Sequence, residues 1–383
     1  GDSDDGFLNT VEIASNGQIT NAVIDSLEFD TAKGKTAYII SISGNVYAIA
    51  YAGDGDDGFL KTVNIATNGQ ITDAAISTLE FDTLKGATPV IIAVSGSQYA
   101  IAYAGDSDDG FLKTVEINTS GQITNSVIDT LEFDTLKGKE PSIVPVAGNI
   151  YAIAYAGFGD DGFLKTVEIS SSGEIRDEEL DTLEYDPVKG KTPDIIAISG
   201  DAYAIAYAAD GDDGWLVTVT IATDGQITGS VIDSLEFDTS NGEEPVILPI
   251  SGDVYAIAYR GADDDGTLKT VTIATDGQVT NSVIDTFEFD SVSGKDPSII
   301  SIADDVYALA YEGTGSDGFL VTVTIAADGQ IPDPAIDTFE FDIATGKTPI
   351  IILVAGVYAI VYEGAGTDVF LQTLQILTDG QIP

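Results

Sequence analysis

Cysteine, methionine and histidine are absent from all 383 residues, and tryptophan occurs once. No disulfide or thiol chemistry is therefore open to the chain, no His-based metal site, and no Ser–His or Cys–His nucleophile pair. The lack of cysteine suits an oxidising or a reducing compartment equally. Basic residues are scarce, with 15 Lys and Arg against 63 Asp and Glu and a formal net charge of −48. So acidic a surface repels nucleic acid and anionic membrane, and favours cations, basic partners or a salty solvent. Solubility in salt and cation binding both account for it. No run of about eighteen apolar residues predicts a membrane-spanning helix. No window carries the i, i+3, i+4 spacing of an amphipathic helix. Residue 1 is a glycine in the middle of a motif, so the chain is expected to be processed or cut from something longer. Asn118-Thr119-Ser120 is a lone glycosylation sequon.

What the chain has is repetition. The glycine of an Asp-Asp-Gly group returns at Gly6, Gly58, Gly110, Gly162, Gly214, Gly266 and Gly318, a step of 52 residues. Pro89, Pro141, Pro193, Pro245, Pro297 and Pro349 keep the same step, with Ala37 in the first slot. A period of this size held without drift signals a propeller or a solenoid. Within one unit, Ile195 to Ser199 is short and apolar and reads as a strand buried on both faces. Gly200-Asp201 turns the chain into Ala202 to Tyr207, a run rich in β-formers. Trp215 to Ala222 alternates apolar residues with Thr and reads as half-buried, and Asp224-Gly225 supplies the next turn. Val231 to Asp238 alternates again and runs into a polar loop before the next proline. The unit is a four-stranded antiparallel meander. With the short apolar strand innermost and the charged strand outermost it makes a propeller blade. A solenoid coil would need capping repeats, and none is visible.

The layout of hairpin, Asp-Gly loop and third strand resembles WD-type propeller blades, although the Trp-Asp dipeptide of that family is absent. It is similar also to the near-identical tandem propeller repeats of archaeal and bacterial surface proteins, which implies a place outside the cell or on its surface.

Seven first, seven second and seven fourth strands can be counted, against eight third strands. The expected fold is all-β, a seven-bladed propeller of four-stranded antiparallel blades forming one domain over 1–383. Residues 1–30 close the ring with the C-terminal copy, 349–383. That copy is eroded, with Val369 in place of the Asp-Asp-Gly glycine and Gln372 and Gln375 in its third strand. Residues 7–14 and 370–377 compete for one place in the closing blade. The short Asn16-Gly17 hairpin favours the N-terminal copy, which frees the C-terminal one for self-association by strand addition.

The loop between second and third strands keeps an acidic residue in every copy, and three Asp stand together in two of them: Asp54, Asp56 and Asp57, and Asp106, Asp108 and Asp109. Clustered carboxylates on a glycine-rich loop suit Ca²⁺, which takes six to eight oxygens. Asp-Gly is equally good turn chemistry, and the spacing is not that of an EF-hand. Lys85, Lys137, Lys189, Lys295 and Lys347 fall in or just after the fourth-to-first loop on the same face, where ion pairs would steer loop shape. The Leu-Glu-Phe-Asp strand should present its acids outward and so block edge pairing. Tyr203 and Tyr207 read as packing between blades with satisfied hydroxyls. Departures from the repeat are few: Trp215, Arg260, Arg176 to Glu179, Phe158, Pro332 and Pro334.

Catalysis needs an asymmetric constellation, which such repetition resists. The expected function is thus a non-enzymatic extracellular module, a component of a surface layer, sheath, adhesin or filament, stabilised by Ca²⁺ if the acidic loops bind it. Its partners would be a glycan or a surface protein. One alternative is a lectin-type propeller with a carbohydrate pocket in each blade. Another is a polysaccharide-active enzyme using paired carboxylates.

Overall fold

A computed structural model describes residues 4–20, 22–72, 74–124, 126–354 and 356–365. Seven four-stranded antiparallel sheets form a ring. Six are continuous in sequence, over 35–82, 87–134, 139–186, 191–238, 243–290 and 295–342, here blades 1 to 6. Blade 7 combines Lys347–Val354 and Val357–Ala365 with the N-terminal Asp4–Val11 and Asp25–Asp30. Each inner strand packs against the next, and that of blade 7 against that of blade 1. The only helical elements among the described residues are three-residue 3-10 turns such as Asp54–Asp56.

The expected closure is what forms. Asp4–Val11 pairs with Val357–Ala365 in continuous register, Phe7 opposite Tyr362, and with Asp25–Asp30 on its other side. The second candidate, 370–377, with its proposed strand addition, lies outside the described residues.

Burial runs differently along the blade than the pattern of apolar residues suggests. The inner strand Lys191–Ser199 alternates buried and half-exposed residues, because one of its faces lines the central channel. The second strand, Ala202–Ala208, is buried throughout. The third, Gly214–Thr220, is almost wholly enclosed, because neighbouring blades sandwich it. The threonine at its centre is accordingly not solvent-facing. Thr218 is fully buried and donates its hydroxyl to the Gly277 carbonyl of the next blade at 2.6 Å. The same bond joins every adjacent pair of blades, from Thr10 to Gly69 round to Thr322 to Gly17. Because that glycine has a positive φ (87° at Gly225), the turn residue and its bonding partner are fixed together.

A second latch joins the blades nearer the mouth of the ring. Tyr103 is fully buried and donates to Asp82 of the preceding blade at 2.6 Å, and Tyr155 to Asp134 at 2.7 Å. Tyr207 so meets Asp186 at 3.0 Å, as inter-blade packing with a satisfied hydroxyl requires. The aspartate that ends Leu-Glu-Phe-Asp is therefore not an outward charge. A register shift between Glu132 and Asp134, present in each blade at this point, breaks the alternation and turns the last carboxylate toward the next blade. The glutamate two residues before it does face outward, as at Glu80 and Glu132.

The repeated glycine sits beneath this bulge. A Cβ on Gly58 would come within 2.3 Å of the Phe81 ring, and one on Gly86 within 2.3 Å of the Gly58 Cα.

Candidate functional site

The fourth-to-first loops deliver the chain to the inner strands on the same face as the acidic second-to-third loops. Gly86 N–H donates to the Asp56 carbonyl at 2.7 Å, tying the two loops of one blade together. The expected lysine pairing is present. Lys33 pairs with Asp56, Lys85 with Asp108, Lys137 with Asp160 and Lys189 with Asp212, each bridging to the following blade. Lys139 adds a second cation to Asp108 at 2.9 Å, and Lys295 meets Asp264 at 2.9 Å. Lys347 instead meets Glu363 at 3.2 Å. Asp56, Asp108 and Asp160 take positive φ (67–69°), a conformation aspartate tolerates in tight turns. The six residues predicted for Ca²⁺ therefore divide. Asp56 and Asp108 are engaged by lysine, and Asp54 and Asp106 open the 3-10 turns. Asp57 and Asp109 each donate a backbone N–H back into that turn. Among the described residues no three acidic side chains converge as a metal-binding group.

At the centre of this face the channel opens into a cavity of about 360 Å³, lined by two tiers of residues on either side of the proline column. The upper tier is Thr36, Thr88, Glu140, Thr192, Glu244, Asp296 and Thr348. All seven hold φ between 45° and 54°, a region in which a β-branched residue is an outlier. Such strain persists only where surrounding structure enforces it, and it gathers at functional sites. Here the enforcement is partly a set of bonds between four pairs of successive blades. Thr88 N–H donates to Thr36 Oγ1 (3.2 Å), Thr192 N–H to Glu140 Oε2 (2.9 Å), Glu244 N–H to Thr192 Oγ1 (3.2 Å) and Asp296 N–H to Glu244 Oε2 (2.8 Å).

The lower tier holds Tyr38, Val90, Ser142, Asp194, Val246 and Ile350. Asp194 accepts the Ile247 N–H at 2.9 Å and the Ser142 hydroxyl at 3.1 Å. Burial pushes its pKa up to about 6 in spite of those two donors. Burial also raises the Tyr38 phenol to about 12, and the Asp194 charge adds to the shift. In the upper tier Asp296 is held well above the usual carboxylate range by burial, reinforced by the charges of Glu244 and Glu312. Glu244 is raised by burial as well, against the pull of the Asp296 N–H and of Arg260. Arg260 reaches Glu243 at 3.2 Å, Glu244 at 3.5 Å and Asp264 at 2.6 Å.

Sevenfold symmetry fails at this site. Carboxylates occupy four consecutive blades, Glu140, Asp194, Glu244 and Asp296 in blades 3 to 6, while blades 7, 1 and 2 contribute Thr, Tyr, Val and Ile. Of the irregularities singled out in the sequence, only Arg260 touches a residue of the cavity. The rest were missed because they flank the prolines, which served only as markers of the period. Read as columns, the residues before and after each proline (Thr/Val, Glu/Ser, Thr/Asp, Glu/Val, Asp/Ser, Thr/Ile) carry the signal.

The molecule is thus a seven-bladed β-propeller with an asymmetric acidic pocket in the mouth of its channel. No family model matches the chain, and no curated protein matches its sequence. Among solved structures it is similar to a candidate 6-phosphogluconolactonase from Bacteroides fragilis, with a TM-score of 0.63 at 14% identity over 88% of this chain and 96% of that one. A second, from Bacteroides uniformis, gives a TM-score of 0.58 at 10% identity over 90% and 97%. These likenesses bear out the propeller; a WD-type family is not among them.

They also correct the functional expectation. The two similar solved propellers, matched along nearly their whole length, are candidate enzymes, whereas the repeat pattern led to a non-enzymatic structural module or a lectin with a pocket in every blade. The physical reason lies in where the repeat is broken. Selection for blade packing fixes the residues between blades, but the residues on either side of the prolines face an open channel and are free to differ.

Proposed function

We propose that the chain is a hydrolase that opens an ester or lactone bond in the central pocket. The observation that carries this reading is the asymmetric set of four carboxyl groups on one arc of the pocket, with the Asp194 pKa near 6 and that of Asp296 held well above the ordinary carboxylate value. Asp194, with a pKa near 6, is mostly ionised at pH 7 yet more basic than an ordinary carboxylate, the property wanted in a general base. Asp296, its pKa raised by burial and by the charges of Glu244 and Glu312, is the group placed to supply a proton. Water attacks the acyl carbon as Asp194 takes its proton, the acyl C–O bond breaks, and the departing alkoxide takes the proton of Asp296. The names borne by the similar solved propellers support ester-opening chemistry of this class.

The phosphorylated substrate in those names does not suit this pocket. Among the described residues no Lys or Arg lines it, and four acids do. The test is a pH-indicator assay of the purified protein against a panel of unphosphorylated lactones and carboxylic esters. Turnover should rise through about pH 6 as Asp194 ionises, and Asp194→Asn should lower kcat by about 10² or more. Absence of hydrolysis across the panel, or an Asp194→Asn variant as active as the parent, overturns the proposal.

A further inference from the structure

The charge and shape of the pocket say more about its ligand than the reaction does. At the rim of this face one aspartate in each of five blades is matched with a cation: Asp56, Asp108, Asp160, Asp212 and Asp264 each hold a lysine. In the pocket the match is missing. Among the described residues Glu140, Asp194 and Asp296 have no Lys or Arg within ion-pair distance, and only Glu244 is served, from outside, by Arg260. Carboxylates drawn out of water without a cation are costly, and they respond by holding protons. Burial accordingly raises the pKa of Asp194, Glu244 and Asp296.

The opposite wall has a different character. Tyr38, Val90 and Ile350 close the side formed by blades 1, 2 and 7, and the Tyr38 phenol stays neutral across the physiological range. The cavity, at about 360 Å³, lies at the small end of the range for small-molecule sites.

We infer that the ligand of this pocket is a small molecule carrying one ammonium group beside an apolar ring or short chain. Its cation lies on the arc of Glu140, Asp194, Glu244 and Asp296, and its apolar part rests on Tyr38, Val90 and Ile350. This rests on the central pocket being the active site, and it names the class of ester or lactone that the hydrolase takes: one bearing an amine. The cation does for Glu140, Asp194 and Asp296 what lysine does for the rim aspartates. The net charge of −48 draws such a molecule toward the mouth from solution. Seating the cation stabilises the ionised carboxylates, so binding lowers the pKa values that burial has raised and releases protons.

The experiment uses three molecules of one shape: cyclohexylamine, cyclohexanol and cyclohexanecarboxylate. Titration calorimetry of the unmodified protein at pH 6, in two buffers of different ionisation enthalpy, gives affinity and protons released together. The amine should bind at least tenfold more tightly than the alcohol and release a measurable fraction of a proton, and the carboxylate should not bind. Glu140→Gln should weaken the amine and leave the alcohol unchanged, whereas Tyr38→Ala should weaken both. Alcohol binding equal to amine binding, amine binding without proton release, or no amine binding overturns the inference. The hydrolase reading fails separately. If the amine binds as described but no ester or lactone is cleaved, the ligand class stands and the reaction does not. If neutral lactones are cleaved and amine-bearing ones are not preferred, the reaction stands and the ligand class does not.

Discussion

The ring carries its own control experiment in Tyr185. Six blades place a phenylalanine beneath the repeated glycine, and blade 3 alone places a tyrosine, against Gly162. Its hydroxyl is buried with no hydrogen-bond partner, and burial drives the phenol well above its ordinary pKa. The ring itself packs as phenylalanine does elsewhere. The Tyr185 and Tyr207 centroids lie 5.1 Å apart at 63°, against 5.1 Å and 62° for Phe133 and Tyr155. Tyr185→Phe therefore keeps the aromatic contact and removes one unsatisfied oxygen. Leaving such a group buried costs about 1–3 kcal/mol, so the variant should be more stable by about that amount. With about 2.1 cal/mol/K of unfolding entropy per residue, a 383-residue ring that melts as one unit has about 0.8 kcal/mol/K. The expected rise in Tm is then about 1–4 °C, within reach of differential scanning calorimetry. The reciprocal change, Phe133→Tyr, should lower Tm by a similar amount, since it buries the same oxygen in the same kind of place. A midpoint that stays or falls on Tyr185→Phe refutes the reasoning and means that the hydroxyl has a partner.

Three further outcomes are expected. Asp82 is shared by Tyr103 and by Lys113 at 2.7 Å, whereas Asp186 has Tyr207 and, with Val217 in the lysine column, no such cation. Tyr207→Phe should therefore cost more than Tyr103→Phe in denaturant melts, about 2–3 kcal/mol against about 1, because loss of the last side-chain donor leaves a half-buried charge; equal costs would sink the latch. Burial opposes ionisation of Asp82, but Lys113, Tyr103 and the Leu84 N–H outweigh it and hold its pKa below the ordinary value. The stability it contributes is present above pH 4 and lost as pH falls through that lowered value, and Lys113→Met should flatten this part of the profile. For Asp296 the sign is opposite: its pKa is raised, so its contribution is complete below about pH 4 and is lost as pH climbs toward and through the raised value. Asp296→Asn should accordingly raise Tm at pH 8 more than at pH 5, and a benefit that shrinks with pH would show that Asp296 is not buried protonated.

The sequence by itself determined the number of blades, their strand order and the place of closure. These follow from local chemistry repeated at a fixed step: glycines where φ is positive, Asp-Gly turns, and alternation that a strand cannot satisfy in any other pairing. It determined as well that lysines of one loop would meet acids of another, and that the repeated tyrosines would pack between blades with satisfied hydroxyls. Two things were settled only by tertiary structure. One is the direction of the aspartate that ends each fourth strand, which a bulge reverses; a period-two pattern in the sequence cannot register an extra residue in one strand of a pair. The other is the site. Glu140, Asp194, Glu244 and Asp296 stand 50 or more residues apart, with nothing in their local surroundings to mark them. Each is one residue from a proline whose regular spacing drew attention to the repeat and away from its neighbours. They become a group only when seven inner strands meet around one axis. There the spacing that separates them in sequence sets them around one cavity, where burial raises the pKa of Asp194, Glu244 and Asp296.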